Sequence, residues 1–440
     1  MNTKFPILKL PESLKKVNLP DMIDVSYRPV VSKINDIEAT LIERIRKSPL
    51  DKKIKPGSRI AITAGSRGIK DIAKILEITC REVRRLGGNP FLVSAMGSHG
   101  GGTVKGEKEI LRSLGVTEKT VKAPLIISRE TVKIDETPDG CSVYMDREAF
   151  KSDGIIVVNR IKPHTDFEDK TESGLIKMLV VGLGKDRGAR EVHTFGVKGM
   201  KERIRKIGRL ILKKAPVILG IALVENSLGE TALIEAIEAG EIEEREKKLL
   251  KSAKKRSSCL PFKQIDLLIV DEIGKEISGT GLDTNLIGRR MIFGEKEPMY
   301  PKITRIAALD LTDESHGNAA GVGLVDVITE RFYRKIDFDS FYFNTITSTF
   351  IERGKIPVVL PSDEAAIKVA LYSAWVGECS KARVVRIKNT LRLENMAVSK
   401  SLFEEVRTRK DINPVGKYYK FKFNKKGNLS LRDKSNVRDC

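Results

Sequence analysis

Four histidines, His99, His164, His193 and His316, are all the imidazole in this 440-residue chain. An imidazole titrates near pH 6.5, which suits both proton transfer in either direction and metal ligation. The first lies in Ala95-Met96-Gly97-Ser98-His99-Gly100-Gly101-Gly102-Thr103, between an apolar strand pattern and a helical one. Glycines there let backbone approach an anion, and the helix start offers N–H groups and a positive dipole end. His99 then falls at the C-terminal edge of a parallel sheet, where α/β proteins bind ligands. Asn159-Arg160-Ile161-Lys162-Pro163-His164 repeats the placement after another strand. Pro163 fixes the backbone, and Arg160 and Lys162 supply charge for a carboxylate or phosphate. His193 follows in Gly188–Gly196, after the apolar, glycine-punctuated segment 179–184. Any two of these histidines could ligate a metal, but such wide spacing matches no structural zinc pattern. Spacing alone does not separate ligands from acid–base groups.

The elements that must position these residues read as alternating strands and helices. Arg59 to Thr63 is a short buried strand, Ala64 to Gly68 a loop, and Ile69 to Leu86 a helix with Ile72, Ile75, Leu76, Val83 and Leu86 near one face. Strands follow at Phe91 to Ala95, Gly154 to Val158 and Val217 to Val224, with helices at Val104 to Leu114 and Gly199 to Lys214. The charge-dense stretch Glu241 to Arg256 reads as a helix leading to an interdomain connection near Pro261. A second region has strands at Ile265 to Val270, Ile303 to Leu309 and Val358 to Leu360, then a helix from Glu364 to Val376 capped by Pro361-Ser362-Asp363. Tyr418 to Leu431 alternates around Lys426-Gly427-Asn428 like a hairpin. The pattern predicts an α/β protein of two Rossmann-like domains with mainly parallel sheets and an active-site cleft between them. Residues 1–260 are expected to form the domain that carries the His/Lys site. Residues 261–440 are expected to form an α/β domain closing over it and ending in a basic tail.

Composition excludes several classes. No window approaches the roughly 20 apolar residues of a membrane span, and the start, MNTKFPILKLPESLKK, mixes charge and proline where a secretory signal carries an apolar run. A cytoplasmic protein is the simplest reading. Five cysteines, odd in number and without CxxC, indicate neither a disulfide framework nor a thiolate zinc site. The net charge of +21 comes with both signs interspersed, so much of it is solvated surface.

The ordered set Gly97-Ser98-His99, Pro163-His164, Ser173-Gly174 with Lys177, and His193 resembles the nickel-dependent lactate racemase family of 2-hydroxy acid racemases and epimerases. The likeness is specific over about residues 55–200 and general beyond. It implies a nickel-pincer nucleotide (pyridinium-3,5-bisthiocarboxylic acid mononucleotide with nickel), tethered to Lys177 and ligated through nickel by His193. His99 and His164 would be the acid–base pair, each deprotonating the hydroxyl of one enantiomer while hydride leaves C2. Ser66, Arg67 and Gly68, with Gly97 and Gly100, would hold the nucleotide. Arg289 or Arg290, in Asp283–Arg290, would bind the substrate carboxylate.

The run Thr165–Gly174 is longer and more acidic than the family's Gly-Gly-rich segment and offers Lys170 as a second lysine. His316 has no counterpart; the glycines around it serve either a ligand or a tight turn. The expected partners are a small 2-hydroxy acid and the enzymes that make the cofactor, with no membrane, and with oligomerisation left open. Two alternatives use the same residues differently. One is a zinc or iron hydrolase built on the histidines. The other is a nucleic-acid-binding protein, disfavoured here, using the basic charge and Tyr418, Tyr419, Phe421 and Phe423.

Overall fold

The strand nearest the N-terminus, β1 (Met22–Tyr27), does not pair with the strands that follow it in sequence. It lies antiparallel between two strands from the far end of the chain, β15 (Asn395–Ser399) and β16 (Ile412–Tyr419). The computed structural model describes residues 10–66 and 68–429. It divides into two units, one spanning Val31–Ser258 and the other formed by Cys259 onward together with the residues before Val31. The expected segment 1–260 is therefore corrected at its start. A proline-punctuated stretch with no turn signal to a neighbouring strand gave no reason to assign β1 elsewhere, yet both its edges are satisfied by residues at the far end of the chain, from Ser26–Asn395 (395 − 26 = 369) upward.

The 31–258 unit carries a six-stranded sheet. In chain order the strands are β2 (Arg59–Ala64), β3 (Asn89–Ser94), β4 (Leu125–Ile126), β7 (Gly154–Arg160), β8 (Val217–Glu225) and β9 (Thr231–Glu238), after setting aside the separate hairpin of β5 (Thr131–Glu136) and β6 (Ser142–Asp146). Spatial order is β4-β3-β2-β7-β8-β9, parallel except for the last pair. From β2 the chain steps outward through β3 to β4, and from β7 it steps the other way to β8. The gap between β2 and β7 is thus a topological switch point, where loops leave the carboxyl ends in opposite directions and open a crevice. The strands read as unbroken apolar runs because helices cover both faces. Ile60, Ile62, Ile156, Val158, Leu219 and Ile221 are buried together with Ile72, Ile75, Leu76 and Val83 of a flanking helix.

The helices needed below are α1 (Ile37–Lys47), α2 (Ile72–Arg85), α3 (Val104–Ser113), the short α4 (Leu175–Lys177), α5 (Lys185–His193), α6 (Gly196–Lys214) and α7 (Ile242–Arg256). All but α4 show one apolar face, and each lies within three residues of its expected place where one was assigned. Between α4 and α5 the chain makes a π turn, Met178–Gly182, a rare geometry found mostly at functional sites.

The other unit holds an eight-stranded sheet in the order β13-β12-β11-β10-β14-β15-β1-β16. Its parallel part joins β10 (Gln264–Val270), β11 (Lys302–Ala308), β12 (Val327–Thr329), β13 (Val358–Leu360) and β14 (Val384–Ile387). The aromatics of the basic tail serve this unit. Tyr419 donates its hydroxyl to Asp24 at 2.9 Å, and Phe421 and Phe423 stack on each other against the core, while Tyr418 is exposed. Of the expected hairpin, the described residues show a bridge between Phe423 and Leu429, and residues 430 and 431 lie outside the described residues. No helix among the described residues is long and apolar enough to cross a membrane.

Candidate active site

The loops leaving β2, β3 and β7 carry Ser66, His99 and His164. His99 sits exposed just before a run of left-handed glycines, Gly100 to Gly102, with its Nδ1 2.5 Å from the Ser66 hydroxyl. Ser66 thus touches an imidazole, and Arg67 lies outside the described residues. Gly97, at φ +62°, donates its N–H to the Gly182 carbonyl and accepts at its own carbonyl from the Arg129 guanidinium, and a Cβ there would stand 3.2 Å from Val181. The His99 loop is thereby pinned to the π turn that follows Lys177. A Cβ on Gly100 would approach the Glu107 nitrogen to 2.7 Å, so this glycine is required by packing on the first turn of α3. Gly68 is exposed.

A buried ionic cluster lies beneath this loop. Arg129 bridges Glu107 at 2.5 Å and Asp186 at 2.7 Å. Lys185, fully buried at φ +53°, holds Ser94 at the end of β3 and lies 3.4 Å from Asp146. Burial lowers the Lys185 pKa and raises that of Asp146, while their mutual attraction opposes both shifts. Since Lys185 begins the helix that ends at His193, the cluster ties the His99 and His193 segments to one strand end. Sequence reading missed it, although Lys185 follows a Leu183-Gly184 pair where a lysine has no apolar-face rationale.

His164 is buried, stacked on Phe167 at 4.5 Å between ring centroids. Its backbone N–H goes to the Glu172 carboxylate at 2.6 Å, its Nδ1 accepts the Asp166 N–H at 3.1 Å, and its Nε2 lies 2.5 Å from Lys177 Nζ. Burial first, then the positive charge Lys177 would carry, holds the imidazole well below its ordinary pKa, so the ring is neutral. With Nδ1 accepting from Asp166, the neutral tautomer carries its proton on Nε2, facing the lysine nitrogen. That contact is a hydrogen bond when Nζ presents a lone pair, the nucleophilic form of the amine. His193, half-buried at the end of α5, is likewise lowered by burial and then by Lys177. Three expected residues, His164, Lys177 and His193, thus share one electrostatic neighbourhood. Lys170 is exposed, which separates it from Lys177.

Other expectations fare differently. Arg160 pairs with Glu225, so its charge is spent inside the fold. Arg289 is bound to Asp326 at 2.9 Å and to the carbonyls of Leu324, Ile303 and Thr304. Arg290, 5% exposed, binds the Lys296 carbonyl and Asn285 Oδ1. Both guanidinium groups brace their own unit, and the carboxylate-binding assignment is not carried forward. His316 is exposed at φ +47°, and the neighbouring Gly317 and Gly321 stand against the Asp337 and Thr280 backbones, which makes this a tight internal turn.

Residues 8–201 match the family model of the lactate racemase N-terminal domain. This stretch of the chain is lactate racemase-like. Two solved structures are also similar. The lactate racemase apoprotein from Thermoanaerobacterium thermosaccharolyticum gives a TM-score of 0.49 at 13% identity, covering 88% of this chain and 96% of that one. A Thermotoga maritima protein gives 0.47 at 10% identity, covering 77% and 84%. No curated protein matches the chain.

One buried acid adds a pH dependence. Glu246 on α7 accepts the Ile176 N–H at 2.9 Å, and burial pushes its pKa up from 4.5 to about 7. The folded state then binds this proton more tightly than the unfolded chain does. Its contribution to stability is full below pH 4.5 and falls by roughly 3 kcal/mol as the pH rises through 7. Thermal melting of Glu246→Gln is expected to match the wild type near pH 5 and to exceed it at pH 8. Parallel pH slopes for the two proteins would contradict the assignment.

Proposed function

We propose that this protein is an isomerase that interconverts the C2 configurations of a 2-hydroxy acid, using a nickel-pincer nucleotide anchored on Lys177 and ligated by His193. The observation that carries the reading is the contact of Lys177 Nζ with His164 Nε2, inside a lactate racemase N-terminal domain. The residues fit the group. A lone-pair amine at Lys177 is what a thioamide tether requires, and the His193 imidazole would supply one protein ligand to the nickel. When bound, the nucleotide accepts the C2 hydride and returns it.

The remaining work falls to this chain. His164 is held neutral and desolvated, so its ring can take a hydroxyl proton. Asp166 presents both its N–H, at 3.1 Å, and its carboxylate, at 3.7 Å, to Nδ1. With Nε2 carrying the ring proton, the basic lone pair is that on Nδ1; for the hydroxyl proton to arrive there, Nδ1 would release the Asp166 N–H, and the Asp166 carboxylate would then accept from the new Nδ1–H. His99, on the loop after β3 and in contact with Ser66, serves the hydroxyl of the opposite enantiomer. A zinc or iron hydrolase would need a set of three protein ligands, and among the described residues no three His, Cys, Asp or Glu converge to hold an ion.

Peptide mass analysis of the protein co-produced with cofactor-synthesis enzymes and nickel tests the reading. The expected result is an adduct on the peptide containing Lys177. An unmodified Lys177 and no bound nickel would refute it.

A further inference from the structure

We propose that helix α7, through Glu246 and Lys254, is the positioning element that holds Lys177 and His164 against each other; the proposal rests on the roles given to those two residues above. The helix α4 that carries Lys177 is only three residues long, and its N-cap, Gly174, has no side chain with which to cap it. Its free N–H groups are met from another helix instead. The Glu246 carboxylate, 1% exposed, accepts the N–H of Ile176 at 2.9 Å and bonds that of Leu175. The fit is tight: a Cβ on Gly174 would stand 2.5 Å from the Glu246 carboxylate carbon. On α7, Glu246 occupies the apolar face with Ile242, Leu249, Leu250 and Ala253, a position that ordinarily takes a leucine.

Two turns further along the same helix, Lys254 secures the other partner. Its ammonium lies 2.7 Å from Glu172 and 2.7 Å from Glu168. Glu172, 1% exposed, accepts the backbone N–H of His164 at 2.6 Å and that of Asp169 at 3.1 Å. The Lys162–Ser173 bridge closes the loop around them. His164 therefore hangs from a buried carboxylate whose counter-charge comes from α7. Removing either α7 side chain leaves buried polar groups unpaired, which is costly locally even where the helix itself survives. Both side chains act through others: Glu246 through the backbone of Ile176, Lys254 through Glu172.

The test begins with apoprotein carrying histidine labelled with 13C at Cε1 alone, in which four histidines give four ring cross-peaks. Glu246→Leu and Lys254→Met are each expected to shift the His164 peak and to speed amide exchange at Ile176 by on the order of tenfold or more. Glu246→Gln, which keeps an acceptor, and Lys254→Arg, which keeps the charge, should leave both readings near wild type. In cofactor-loaded protein the same two disruptive variants should lower kcat about tenfold or more with KM little changed. An unmoved His164 peak with unchanged Ile176 exchange in both disruptive variants overturns the proposal, whether or not the melting temperature falls. The first two readings need neither cofactor nor substrate. A loaded wild-type protein with no turnover would count against the racemase reading alone.

Discussion

Lys177→Ala is expected to abolish racemisation by protein produced with nickel and the cofactor-synthesis enzymes, a loss of about 10³-fold or more, and to remove the adduct from that peptide. The magnitude follows from what a covalent tether supplies: effective concentrations of on the order of 10⁵ M or more for a correctly held group, which no diffusing cofactor replaces. Lys177→Arg is expected to fail equally. A guanidinium keeps the charge beside His164 but has no nucleophilic lone pair at neutral pH. Lys170→Ala, at an exposed position in the same loop region, is expected to keep full activity. Full activity in Lys177→Ala would show that the tether has been assigned to the wrong residue.

The second large effect concerns the two bases. His99→Asn and His164→Asn are each expected to slow racemisation by roughly 10²- to 10⁴-fold, the usual contribution of a positioned acid or base. The two losses should differ in kind. If each imidazole serves one hydroxyl direction, a single variant still forms enzyme-bound keto acid from one enantiomer in a single turnover and not from the other. The enantiomer retained should be opposite in the two variants. The direction that depends on His164 should also persist well below pH 6.5, because burial holds that imidazole neutral there. Equal residual turnover of both enantiomers in both variants would contradict the division of labour.

The sequence made the strand–loop–helix frame legible because short apolar runs bounded by glycine and capped helices have few other readings, and β2, β3, β7, β8, β10, β11 and β13 stand within two residues of their expected starts. Three features were not legible, each for a physical reason. Strand β1 is paired across the whole chain, and no local pattern encodes a partner at that distance. Arg289 and Arg290 look like anion binders in a row of residues, but their ion pair and carbonyl contacts come from segments that only the fold brings near. Glu246 was hidden in a helix crowded with charge. The available signal was its position, in register with Ile242, Leu249 and Ala253 on the face that should have been apolar. The acidic run before Lys177, which reads as a departure from the family, contains Glu172 and so organises the His164 loop.

The account's central claim, reversible hydride transfer at C2 within a lactate racemase-like site, is tested most directly by a deuterium label. A single enantiomer of a C2-deuterated 2-hydroxy acid, selected from a chiral panel for inversion by the loaded protein, is racemised in ordinary water and the product analysed by mass and configuration. Hydride that leaves C2 and returns predicts inverted product that retains its deuterium. Inverted product that has exchanged deuterium for solvent hydrogen would mean that C2 is deprotonated instead, and would contradict the account.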